Sequence, residues 1–153
     1  MVLSKKKKMA AYYLAAIFFV ALDRLLKVLA QKYFQGGEKN IIDGLVKFGF
    51  APNYNIALSL PLPGFILFII IPLLIFGILF YSFILLKRGE VNFAGLLTII
   101  SFCAISNFYD RLRFGFVIDY LNIKWFTVLN LADIMIVINI FLLGIYYKVK
   151  FNN

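Results

Sequence analysis

The chain has 153 residues, of which 63% are hydrophobic and 18% aromatic, and its mean hydropathy is +0.93. That composition excludes an ordinary soluble domain and points to an integral membrane protein with one domain, residues 1–153. The net charge of +9 raises nucleic acid as a partner, but the basic residues stand at the ends of apolar runs rather than on a polar face interleaved with stacking aromatics, so no nucleic acid is expected.

The chain contains no histidine, which rules out Ser-His and Cys-His nucleophiles and a His-ligated metal. The single Cys103 lies inside an apolar run and reads as a packing residue. Carboxylates remain as agents of any catalysis.

A membrane-spanning helix needs about 20 mostly apolar residues. Four runs qualify, approximately 9–29, 62–86, 93–109 and 131–147, so the expected fold is an all-α membrane protein built as a four-helix transmembrane bundle. Lys5 to Lys8 precede the first run, which imitates a secretory signal ending at Val28-Leu29-Ala30. Asp23, Arg24 and Lys27 fall where such a signal is uncharged, so an uncleaved helix is the better fit. Asp23 and Lys27 are four apart with the acid first, the favourable order for an ion pair on one helical face. At about 1.5 Å per residue the pair sits roughly 20 Å from the start of the run. It is expected to anchor the helix at the interface, or, more sharply, to brace an active site or meet a lipid headgroup.

The segment 30–61 follows, with alternating stretches such as Ile41 to Phe50 and the polar run Pro52-Asn53-Tyr54-Asn55-Ile56-Ala57-Leu58-Ser59. Its amides and hydroxyls could hold an extended peptide by its backbone, or could simply cap turns. Pro61 and Pro63 delay the second helix. Lys87 and Arg88 link the second and third runs, and Lys148 and Lys150 follow the fourth. With four spans all three basic clusters fall on one side, which predicts cytoplasmic termini and outward-facing polar chemistry.

The third run ends in Ser106-Asn107-Phe108-Tyr109-Asp110-Arg111, where Asp110 and Arg111 read as a helix-end cap and ion pair, and Gly115 turns the chain into Phe116-Val117-Ile118-Asp119. Asp119 is expected in a loop, and Asp133 at the outer end of the fourth run. The fourteen-residue separation lets Asp119 fold back toward Asp133. Two carboxylates meeting there would share one proton and polarise a water, as in aspartic proteases. Alternatively, each pairs separately with Arg111, Arg113 or Lys124 as a surface salt bridge.

Taken together and in order, these blocks resemble lipoprotein signal peptidase, the type II signal peptidase of bacteria, over nearly the whole length. Asp23-Arg24-Leu25-Leu26-Lys27 resembles that family's Asp and Lys in the first span, and Asn53 to Ser59 its Asn-x-Gly-Ala-Ala-Phe-Ser stretch. Asn107 to Arg111 with Gly115 to Asp119 resembles the Gly-Asn-x-x-Asp-Arg and Val-Val-Asp block, and Leu129-Asn130-Leu131-Ala132-Asp133 the Phe-Asn-x-Ala-Asp block. The resemblance implies a catalytic dyad of Asp119 and Asp133, with Asn53, Asn107, Arg111, Asn130, Asp23 and Lys27 supporting the site or binding substrate.

It further implies cleavage before the lipidated cysteine of a diacylglyceryl-modified prolipoprotein, without metal or other cofactor. A multi-pass monomer of the bacterial inner membrane is implied, bathed in phospholipid, with its site near the outer face and a small β-cradle over the helices formed by 41–60. Asn55 and Leu58 stand where the family has Gly and Phe, and Ser106 where Gly precedes Asn107, which puts loop geometry in question more than chemistry. Two other readings stay open. A presenilin-like intramembrane protease would use Tyr109-Asp110 but lacks the Gly-x-Gly-Asp partner, and a small four-span transporter would need an acid near mid-membrane.

Overall fold

A computed structural model of the protein describes residues 4–55 and 64–151. Helix α1 spans Lys5–Tyr33, α2 Gly64–Lys87, α3 Val91–Phe114 and α4 Leu131–Phe151. Ser4 caps α1, its hydroxyl accepting from the Lys7 N–H at 3.4 Å. Gly115 ends α3 with φ 81°, the left-handed step that glycine makes without strain, and its N–H closes on the Arg111 carbonyl at 3.0 Å. The third helix therefore runs past its expected end at 109 and carries Asp110 and Arg111 in its last turns.

Helix α3 is the axis of the bundle, packing against each of the other three, while α1 also meets α4. Small residues allow the close approach: Ala16, Cys103 and Ala132 pack with Ile99 where α1, α3 and α4 meet. At Gly95 the Tyr12 ring lies where a Cβ would sit, 2.2 Å from it, so any side chain there would force α1 off α3. Between α2 and α3 the glue is polar: the Ser82 hydroxyl donates to the Ala94 carbonyl at 2.9 Å and lies 3.2 Å from the Thr98 hydroxyl.

Among the described residues three helices are long and apolar enough to cross a membrane, over Ile66–Lys87, Val91–Phe114 and Leu131–Lys150. Helix α1 is not among them; Asp23, Arg24 and Lys27 interrupt its apolar run. Lys5, at the start of α1, sits over Gly89 in the α2–α3 turn, and Lys150 near the end of α4 pairs with Glu90 in that same turn. The basic clusters thus gather at one end of the bundle.

The opposite end carries a four-stranded antiparallel meander in the order β1 (Glu38–Ile42), β2 (Val46–Asn53), β3 (Val117–Ile123), β4 (Thr127–Leu129). The sequence leads one to expect the sheet in 41–60 alone and a loop at Asp119. Instead the second connecting segment supplies half the strands, and Asp119 lies within β3. The alternation Val117, Asp119, Leu121 on one face and Ile118, Tyr120, Asn122 on the other is a strand pattern hidden by near-continuous burial of both faces. Leu58, Ser59, Pro61 and Pro63 lie outside the described residues.

A bulge in β2 sets the register that matters. Phe48 faces Leu121, yet Ala51 faces Asp119, so β2 spends one residue more than β3 between these pairs. Asn53 consequently faces Val117 and shares the face of Asp119; without the extra residue it would point to the other side.

Candidate active site

Two groups of side chains occupy the sheet end of the bundle. The first joins α1 to α3. Lys27, fully buried at 0% exposure, donates to Asn107 Oδ1 at 2.7 Å, to Asp23 Oδ2 at 2.8 Å and to Asp110 Oδ2 at 2.9 Å. An ammonium has three donors, and here each finds an oxygen. Arg24 pairs with Asp110 Oδ1, reaches the Ser106 carbonyl at 3.3 Å and lies 4.9 Å from the centre of the Tyr109 ring. Two cations and two carboxylates cancel in charge. The Asp23–Lys27 pair forms as its spacing of four predicts, and it is buried because Asp110 arrives from α3 to complete it.

The second group surrounds Asp119 and Asp133. Asn130 caps α4: its Oδ1 accepts from the Asp133 N–H at 2.9 Å, and Asp133 Oδ2 accepts from the Asn130 N–H at 3.4 Å, a reciprocal capping box. The same Asn130 donates through Nδ2 to Asp119 Oδ1 at 2.7 Å, so one amide is bonded to both aspartates. Asn53, brought round by the bulge, donates to Asp119 Oδ2 at 2.8 Å, and its Oδ1 accepts from the Asn55 N–H at 3.0 Å in an Asx turn. Asn107 donates to Asp133 Oδ1 at 2.7 Å while holding Lys27 with its other atom. Arg111 donates to the Asn55 carbonyl at 2.9 Å and so holds the exit of β2.

Asp23, Lys27, Asn53, Asn107, Arg111, Asp119, Asn130 and Asp133 are therefore all at this end of the molecule, in one connected network. Among the described residues no ion pair reaches Asp119 or Asp133. The alternative that each pairs with Arg111, Arg113 or Lys124 fails, since Arg113 donates to the Tyr109 hydroxyl and Lys124 stacks on Trp125. Asp110, the aspartate a presenilin-like site would use, is spent on two cations. Asn55 also departs from the family's Gly without strain: among the described residues Trp125, at φ 62°, is the one non-glycine with positive φ.

Asp119 is 1% exposed, and its carboxyl is pushed up to about 7, by burial first and then by the charge of Asp133, against the opposing hydrogen bonds from Asn53 and Asn130. It lines a cavity of about 260 Å³ with Ala51, Pro52, Asn53, Tyr54, Asn55, Thr127 and Val128. Strand β2 forms one wall and β4 the other.

Two further residues belong to the network. Ser106, noted in the sequence for loop geometry alone, donates its hydroxyl to Asp23 Oδ2 at 2.9 Å. Tyr120 is wholly buried; its hydroxyl donates to Asp23 Oδ1 at 3.1 Å and accepts from the Leu131 N–H at 2.9 Å. Burial raises the phenol above its ordinary value, so it keeps its proton and remains a donor. The only local sign was a tyrosine beside an aspartate, which the strand pattern alone does not distinguish from core.

A helix bundle long and apolar enough for a membrane, crowned at one end by a sheet beside which a pair of carboxylates is held among amides, defines an integral membrane enzyme of the acid type. Comparisons with known proteins carry this to a family. The family model described as signal peptidase (SPase) II matches residues 15–149. The lipoprotein signal peptidase of Caldicellulosiruptor bescii is 32% identical over 132 residues, covering 86% of this chain and 87% of that one. That of Lactobacillus johnsonii is 31% identical over 144 residues, covering 92% and 94%. Two bacterial membrane enzymes solved by the in meso method share the fold: one with TM-score 0.79 at 21% identity, covering 92% of this chain and 88% of that one, the other with 0.78 at 20%, covering 93% and 94%. The chain belongs to the signal peptidase II family, the lipoprotein signal peptidases that remove signal peptides from prolipoproteins.

Proposed function

We propose that the chain is an aspartyl endopeptidase in which Asp119 and Asp133 share one proton and activate water against the peptide bond preceding the lipidated cysteine of a diacylglyceryl-modified prolipoprotein. The observation that carries this is the neighbourhood of the two carboxylates: neutral amides hold them, no ion pair reaches either among the described residues, and Asp119 lines a cavity.

Asp119 is the proton-bearing member and Asp133 the ionised one. Asp133 takes a proton from water as the water oxygen attacks the carbonyl carbon, and Asp119 gives its proton to the carbonyl oxygen. When the tetrahedral intermediate collapses, the C–N bond breaks, the nitrogen takes the proton from Asp133, and a hydroxyl of the intermediate returns one to Asp119. Atoms and charge balance without metal. Asn53, Asn107 and Asn130 fix the carboxylates, Arg111 holds the β2 exit that lines the cavity, and Asp23 and Lys27 brace the helices beneath. Apolar surface near α2 and α3 suits the acyl chains: Phe68 packs on Phe108, Phe102 on Tyr13, and both remain partly open. The Phe65 side chain lies outside the described residues.

In this reading α1 is a fourth span, the lysine-rich end faces the cytoplasm with both termini, the sheet lies near the outer face among phospholipids, and one copy suffices. The gathering of Lys5, Glu90 and Lys150 at one end and the sheet at the other supports it.

The test is a cleavage assay in detergent with chelator throughout, offering a diacylglyceryl-modified prolipoprotein and its unlipidated precursor to wild type, Asp119→Asn and Asp133→Asn. Cleavage of the lipidated form alone, lost in both folded variants, is the expected result. Turnover surviving either substitution would move the chemistry elsewhere.

A further inference from the structure

The two carboxylates of the proposed dyad come from different elements, β3 and α4, and something must fix their separation. Asp119 and Tyr120 are consecutive in β3 and point to opposite faces of the strand. Both nevertheless reach the segment that opens α4. Asp119 does so through the Asn130 side chain at 2.7 Å, and Tyr120 through the Leu131 N–H at 2.9 Å. The start of α4, two residues before Asp133, is thus clasped from both faces of the strand.

The far end of the clasp is anchored as well. The Tyr120 hydroxyl donates to Asp23 Oδ1, and that same oxygen accepts from the Ala132 N–H at 3.3 Å. A helix start leaves its first N–H groups without intrahelical partners. Here Leu131 is answered by Tyr120, Ala132 by Asp23 and Asp133 by Asn130, so the first turn of α4 is bound to β3, to α1 and to its own cap. The Tyr120 ring is held between this turn and the sheet, 5.4 Å from the ring of Phe48, which leaves the hydroxyl little freedom.

We propose that Tyr120 is a positioning residue for the dyad: its hydroxyl, bonded at once to the Leu131 N–H and to Asp23, locks the strand bearing Asp119 to the helix start bearing Asp133. The inference rests on the dyad reading and deepens it. Tyr120 touches neither substrate nor reacting atoms; it acts through the spacing of the two carboxylates. Catalysis by a shared proton tolerates little misplacement, and a shift of about 1 Å can cost about a hundredfold in rate.

The experiment compares wild type, Tyr120→Phe, Asp119→Asn and Asp133→Asn, as full-length protein in detergent, with kcat and KM for a diacylglyceryl-modified prolipoprotein. Phenylalanine keeps the ring and removes only the hydroxyl. The expected result is a fall in kcat of about 10- to 100-fold with KM unchanged to within about twofold. If Tyr120→Phe does not fold, an ester in place of the Leu131 peptide N–H, introduced with the hydroxy acid of leucine, removes the same bond from its other side and is read in the same way. Unchanged kcat while both aspartate variants are dead would overturn the role of Tyr120 and leave the dyad standing. A rise in KM alone would make the hydroxyl a substrate contact and likewise overturn it. Turnover in either aspartate variant would remove the dyad itself, and the positioning role with it.

Discussion

Four of the five aspartates at the sheet end of the bundle, all but Asp43 in the β1–β2 turn, live in two kinds of neighbourhood. Asp23 and Asp110 face Lys27 and Arg24. Asp119 and Asp133, in the next layer, take their hydrogen bonds among the described residues from amides: the side chains of Asn53, Asn107 and Asn130 and the backbone N–H of Asn130, with no cation in direct contact. A carboxylate matched by a buried cation is fixed in its charged form and serves to hold helices together. One matched by neutral donors, beside a second carboxylate, keeps its proton negotiable. Residue type is the same in both layers; the partner set separates the ion-paired aspartates from the proposed dyad. Asn107 joins the layers, accepting from Lys27 with its oxygen and donating to Asp133 with its nitrogen.

The largest effect that could break this division is on turnover. Asp119→Asn and Asp133→Asn should each lower kcat by at least about 10²- to 10⁴-fold in the cleavage assay, while Asp119→Asn keeps the fold. Next in size is the reverse case. Lys27→Met strips two buried carboxylates and the Asn107 oxygen of their cation, and should cost about 3–5 kcal/mol, read as a large fall in the thermal midpoint in detergent. A Lys27→Met protein as stable as wild type would show that the inner cluster is not what holds α1 to α3.

Much of this layout was legible in the sequence, and the reason is local. The helices follow from apolar length, Gly115 from its place at a helix end, and the Asp23–Lys27 pair from its spacing of four. The blocks around Asn53, Asn107, Asp119 and Asn130 could be read as one site through family resemblance. What could not be read depends on contacts distant in the chain. Asp110 meets Arg24 across 86 residues and joins the Asp23–Lys27 pair into a buried cluster. Tyr120 meets Asp23 across 97, so its hydroxyl had no sequence signal. The β2 bulge, one residue in register, decides whether Asn53 sees Asp119, and alternation cannot reveal it.

A smaller effect concerns protons. Asp119 holds its proton up to about 7 in the folded protein, against about 4 for an ordinary aspartate. As the general acid of the proposed mechanism it must be protonated, so kcat/KM should fall as pH rises through about 7. Asn53→Ala removes a donor that favours the charged form, and should move that limb to higher pH. Stability has its own sign. Between about pH 4 and 7 the folded state binds a proton that the unfolded state has released, so this group's contribution to stability declines as pH rises across that window. Asp119→Asn abolishes that slope, and its advantage in thermal midpoint over wild type should be greatest above pH 7.

The smallest effect separates partner set from burial. Glu38, on the same sheet but away from the site, accepts from Asn122 at 2.9 Å and pairs with Lys47 at 3.2 Å, the same two partner types that Asp23 and Asp119 divide between them. Its carboxyl sits below the usual range, chiefly through the Asn122 hydrogen bond. Yet it is exposed, water competes for both partners, and an exposed pair contributes about 0.2–1 kcal/mol. Glu38→Gln should therefore shift the unfolding free energy by no more than that and leave kcat unchanged. A loss as large as that of Lys27→Met would mean that partner identity alone sets the strength of these contacts. The two aspartate layers would then differ in degree, and burial would no longer explain why a lysine among carboxylates holds the helices while amides among carboxylates leave a proton free to move.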